Sequence, residues 1–73
     1  MKQYFFSLNK PYEQCIPLYE GRVRFAVLEA ESGENVQIPA ATLRRFIGHN
    51  GLKGRFRLVV DVNNKMKSFE KIA

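Results

Sequence analysis

A chain of 73 residues, 45% hydrophobic and 12% aromatic, has room for one domain (1–73) and enough apolar side chain to exclude intrinsic disorder. Its net charge of +5 is uneven. Residues 1–34 carry four basic side chains against five glutamates, and residues 35–73 carry eight against two acids, and positive charge concentrated in one half can attract polyanions.

The longest apolar runs, such as FAVL at 25–28, fall far short of the ~20 residues of a membrane span. Cys15 has no cysteine to pair with, and the opening MKQYFFSLNK does not read as a signal peptide. The expectation is a cytoplasmic chain with no membrane partner. A domain this short buries only about 60% of its unfolded surface, so its margin of stability is thin.

QYFFSL (3–8) alternates as a strand, with Tyr4, Phe6 and Leu8 on one face and Gln3, Phe5 and Ser7 on the other. In NKPYEQCIPLYEG, Pro11 and Pro17 bracket a stretch that predicts one helical turn or an ordered loop. RVRFAVLEA (22–30) predicts a second strand. Val23, Phe25 and Val27 share one face; Arg22, Arg24, Ala26 and Leu28 share the other. ESGE (31–34) is a turn with Gly33 free to take positive φ, and NVQI (35–38) completes a hairpin.

Pro39 closes that strand, because it cannot donate to a ladder. AATLRRFIG then changes period. Leu43, Phe46 and Ile47 form one stripe of a short helix, Arg44 and Arg45 project away from it, and Gly48 suits the position just past its end. GHNGLKG reads as a loop in which Asn50-Gly51 is a turn pair without hairpin alternation around it.

GRFRLVVDV (54–62) sends Phe56, Leu58, Val60 and Val62 one way and Arg55, Arg57, Val59 and Asp61 the other. A two-residue turn at Asn63-Asn64 folds the chain back. That register opposes Leu58 to Phe69, Arg57 to Glu70, Asp61 to Met66, Val62 to Lys65 and Val60 to Lys67; the two lysines suit an edge strand. The predicted architecture is mostly β: one small antiparallel five-stranded, barrel-like sheet, with one short helix between strands 3 and 4.

YFFSLNKPYEQCIPLYEGRV, IPAATLRRFI and GLKGRFRLVVDVNNKMKSFEKI together resemble a family of short bacterial proteins classed only as a domain of unknown function. The resemblance runs through nearly the whole chain, most specifically at 12–22 and 51–64. It implies a bacterial source and a stand-alone domain, and it carries no activity, ligand or catalytic residue.

Enzymatic chemistry is not expected. His49 is the only histidine and sits in a glycine-rich loop, while Cys15 lies beside Ile16 and Leu18 as a small buried hydrophobe. Together they fall short of the four ligands of a structural zinc site, and no cofactor is implied. The carboxylates are dispersed, with no pair set to hold separated pKa values. GHNGLKG leads into a strand, unlike a phosphate loop, and lacks the Lys-Ser/Thr. GLKG matches the KH clamp only as a string, and KGRFRLVV places arginines where an RRM sheet needs stacking aromatics.

The reading that remains is a basic face contacting RNA or single-stranded DNA through phosphates, at Arg44, Arg45, Lys53, Arg55 and Arg57. Arg22 and Arg24 are further candidates, and Phe5, Tyr12 and Tyr19 are candidate stacking partners. Arg57 with Glu70 as an ordinary solvated ion pair is the plainer alternative. The rival function is a protein-interaction adaptor docking through Phe5, Met66 and Ile72 or through an open sheet edge, with an unidentified protein as partner. The sequence leaves the oligomeric state open.

Overall fold

The computed structural model describes all 73 residues. It runs β1 (Lys2–Lys10), α1 (Tyr12–Tyr19), β2 (Phe25–Glu29), β3 (Asn35–Pro39), α2 (Ala40–Arg44), β4 (Leu52–Val60) and β5 (Met66–Lys71). The fold is mostly β, as the alternation predicts. The single barrel-like sheet is not observed. The strands divide into a three-stranded antiparallel sheet, β1-β4-β5, and a separate two-stranded sheet, β2-β3, with no closed barrel. No helix is long and apolar enough to cross a membrane.

Alternation in β1 and β4 builds the larger sheet. Phe6 lies opposite Phe56 and Tyr4 opposite Leu58, so their inward side chains meet on one face. Phe69 of β5 joins them opposite Leu58, as the register predicts. Phe56 and Phe69 stack at 5.4 Å between centroids, and Phe46 presses edge-on against both at 5.4 and 5.6 Å. Rings at these separations add about 0.5–1.5 kcal/mol per pair beyond area burial. The other side of the core is Leu28, Ile38, Ala40 and Leu43, with Cys15 and Leu18 of α1, all buried.

Four local expectations need correction. The segment after β1 is an eight-residue helix, where a single turn or loop is predicted. Pro17 removes only one donor, aimed at the carbonyl of the exposed Glu13, while Cys15 and Leu18, three apart, anchor the helix in the core. α2, by contrast, ends at Arg44, so Phe46 and Ile47 pack from the turn that follows it.

β2 starts only at Phe25, and its inward residues are Ala26 and Leu28. They face Ile38 and Val36 of β3, whose own alternation selects that side. Val23, Phe25 and Val27 are left outward, at 39%, 53% and 67% exposure.

The β4–β5 turn takes three residues, 62–64, in place of two. The Asp61 carbonyl accepts from Asn64 N–H, its carboxylate accepts from the N–H groups of Asn63 and Lys65, and Asn64 takes the left-handed φ of 62°. Val62 is therefore exposed at the turn instead of inward. A bulge then sets Met66 opposite Val60, not Asp61, and takes Lys67 off the predicted partner.

Candidate functional site

The five predicted nucleic-acid residues fall into two groups on opposite sides of the larger sheet. Lys53, Arg55 and Arg57 stand in a row on the outer face of β4, because Phe56 and Leu58 between them point inward. Arg44 and Arg45 lie at the end of α2, which packs on the inner side through Leu43. They do not form one patch.

The outer row is largely neutralised. Glu31, in the turn between β2 and β3, takes two hydrogen bonds from Arg55 at 2.9 and 3.0 Å and one from the Ser7 hydroxyl at 2.8 Å. The Arg55 and Ser7 hydrogen bonds hold the Glu31 carboxyl below its usual range, and Glu31 in turn raises the Arg55 guanidinium above its own. Arg57 pairs with Glu70 directly across the strand, as predicted. Phe5, the predicted docking aromatic, is half-buried with the Arg55 guanidinium 4.7 Å above its ring. Lys53 alone in this row has no acid partner.

Met66 and Ile72, the other predicted docking residues, are each partly exposed but sit at opposite ends of β5. At about 3.3 Å per residue they are roughly 20 Å apart. With Phe5 across β4 they make no continuous surface.

The residues that do come together are at the helical end. Tyr12 and Tyr19 are seven apart on α1, hence two turns along one side, with ring centroids at 6.5 Å. With Ile47, Gly48 and His49 they line an open groove of about 570 Å³. Gly48 and Gly51 exchange reciprocal backbone hydrogen bonds of 2.9 and 3.0 Å, which pinches His49-Asn50 into a two-residue turn. The turn is one residue earlier than the Asn50-Gly51 pair read from the sequence.

Gly51 has φ of 95°, and a Cβ there would overlap the Lys10 carbonyl and approach Tyr12 N to 2.8 Å. Only glycine lets the loop press against the start of α1, and that contact sets His49 beside Tyr12. Arg44 donates through Nε to the Leu18 carbonyl at 3.0 Å, which fixes it one residue from Tyr19, and Arg45 lies 5.7 Å from the Phe46 ring centroid. The four ion pairs of the molecule involve Lys2, Arg22, Arg55 and Arg57, so Arg44 and Arg45 have no carboxylate partner.

From the sequence, Tyr12 and Tyr19 are expected only as companions to a patch elsewhere; His49 is an exposed loop residue, as its glycine-rich surroundings predict, and what the sequence does not announce is that it lies beside the tyrosines. The spacing of seven between the tyrosines was the local signal. The glycines at 48 and 51 were the other.

The family model described as "Protein of unknown function (DUF2835)" matches residues 2–72. The chain belongs to this family. No curated protein and no solved structure matches it. DUF2835 as described carries no ligand and no catalytic residue, so the groove of this member stands on its geometry alone.

Proposed function

We propose that this DUF2835 chain is a non-catalytic cytoplasmic binding module that contacts RNA or single-stranded DNA at the Tyr12–Tyr19–His49 groove. Arg44 and Arg45 take the phosphates. One observation carries the reading: two exposed tyrosine rings line one groove, and Arg44, which no acid neutralises, is bonded to the Leu18 carbonyl next to Tyr19.

Aromatic faces accept any base by stacking, typically for about 1–3 kcal/mol per base, and a guanidinium binds phosphate oxygens in pairs. The pairing of Arg55 and Arg57 with acids argues against the outer sheet face as the main contact. Recognition of this kind tolerates sequence and weakens with salt.

An adaptor that docks on a protein is the second reading. The specific observation in its favour is the outward row Val23, Phe25 and Val27, not Phe5, Met66 and Ile72.

The test is an NMR titration of labelled protein with oligouridine and oligothymidine decamers at low and moderate salt. Tyr12, Tyr19, Gly48, His49 and Arg45 amides should shift, less so at higher salt. No shift at low salt would end the nucleic-acid reading and leave the adaptor.

A further inference from the structure

The two sheets nearly join. Beyond the end of β2, Glu31 N–H donates to the Phe5 carbonyl at 2.7 Å, and from that point β1 and β2 run apart, antiparallel, without pairing. Between them opens a cleft of about 260 Å³ flanked by Ser7, Leu8, Asn9 and Lys10 on one lip and Val27, Leu28 and Glu29 on the other.

Ladder parity decides what the lips present. Phe5 turns its carbonyl away from β4, and Arg55 bonds Ile72 and Ala73 on the β5 side, so the even residues of β1 carry the β1–β4 ladder. The main-chain N–H and C=O of Ser7 and Asn9 therefore point into the cleft. On β2, Ala30 N–H donates to Glu34 and the Arg24 carbonyl accepts from Ala40, so even residues face β3. Val27 and Glu29 accordingly face Ser7 and Asn9 across the gap. Two donors and two acceptors line each lip, at the two-residue repeat of an extended chain, about 6.6 Å.

We propose that this cleft receives an extended peptide segment of another protein by strand addition, bonding Ser7 and Asn9 on one side and Val27 and Glu29 on the other. Alternate side chains of the guest point inward to Leu8 and Leu28, so it should carry an apolar residue at every second position.

The lips are poorly placed to close on each other. Ile38, Ala40 and Leu43 hold the smaller sheet in the core at 1% exposure or less, and closing would pull them out. A second copy is a poor guest as well. The free edge of β5 is guarded by Lys65, Lys67 and Lys71, and β3 is five residues long and ends in Pro39. An extended foreign backbone fits what remains unpaired.

The test uses labelled full-length protein and a mixed pool of acetylated, amidated hexapeptides with Val, Ile, Leu or Phe alternating with Thr. In free protein, the amides of Ser7, Asn9, Val27 and Glu29 should exchange with solvent faster than those of Phe6, Leu8 and Leu28. The pool should shift those four amides and slow their exchange by about ten-fold or more. The same pool N-methylated at alternate residues should not. Asn9→Pro, which removes a donor facing the cleft and leaves the β4 ladder whole, should abolish the effect with its thermal melt retained.

Protection of the four amides in dilute free protein would mean that the lips already pair and would overturn the proposal. So would protection that appears with protein concentration alone, or shifts that fall elsewhere or nowhere. If Asn9→Pro fails to fold, the N-methylated pool decides.

Discussion

Arg55 with Arg57 and Arg44 with Arg45 are similar in sequence and different in the molecule. Each set is two guanidiniums within three residues, on a short element with an apolar stripe. The sheet set is met by Glu31, 24 residues away, and by Glu70 across the strand. The helix set meets a backbone carbonyl and an aromatic ring, and no acid. Counting charge along the chain therefore locates positive potential poorly. What matters is which cations the fold leaves without a carboxylate, and among these Arg44 is held one residue from the exposed Tyr19 by its bond to the Leu18 carbonyl.

That contrast can be broken most severely at Gly51. Gly51→Val forces a side chain into the backbone at the start of α1 and should cost about 2–4 kcal/mol, read as a fall in Tm of more than about 10 °C. It should also remove oligonucleotide binding, with His49 no longer held at the groove. Tyr12→Ala/Tyr19→Ala sharpens the comparison without unfolding. Both rings are exposed, so Tm should hold while affinity for an oligouridine falls by about ten-fold or more in fluorescence anisotropy.

A smaller effect comes from freeing one of the neutralised arginines. Glu31→Gln leaves Arg55 without its acid, and affinity at low salt should rise about two-fold, with no change if the outer face lies out of reach. The same pair gives a weak pH signature. The folded-state pKa of Glu31 lies below the ordinary 4.5, so its contribution is present above that value and lost as pH falls through the depressed one. Wild type should lose Tm more steeply as pH falls below 4.5 than Glu31→Gln does. Parallel slopes would show that Arg55 gains nothing from Glu31.

Much of the fold was legible because side-chain alternation is local. β1, β3 and β4 follow it closely, and the pairs Leu58–Phe69 and Arg57–Glu70 stand where the pattern puts them. The register slips only at the turn, because the Asp61 carboxylate takes two N–H groups and adds a residue to the loop. α1 was obscured by its two prolines, since what overrides them is burial of Cys15 and Leu18 against distant strands. The division into two sheets was illegible for the same reason. Each hairpin is recognisable alone, the second with its turn one residue short, and nothing in either says how far β1 and β2 stand apart.

The candidate site followed that division of information. The basic residues were visible as residue types, but Glu31 reaching Arg55 is a tertiary event that no spacing announces. The groove is built from Tyr12, Tyr19 and His49, segments brought together by a glycine whose role is the absence of a side chain. Such an absence is visible in sequence only as punctuation.

The most direct test compares two variants that each remove two positive charges, Arg44→Gln/Arg45→Gln and Arg55→Gln/Arg57→Gln, binding the same oligouridine over a range of salt. The helix variant should lose about ten-fold or more in affinity at low salt, with its log–log salt slope reduced by about 1.4, while the sheet variant stays within about two-fold of wild type. Equal losses, or a larger loss from the sheet variant, would contradict the account.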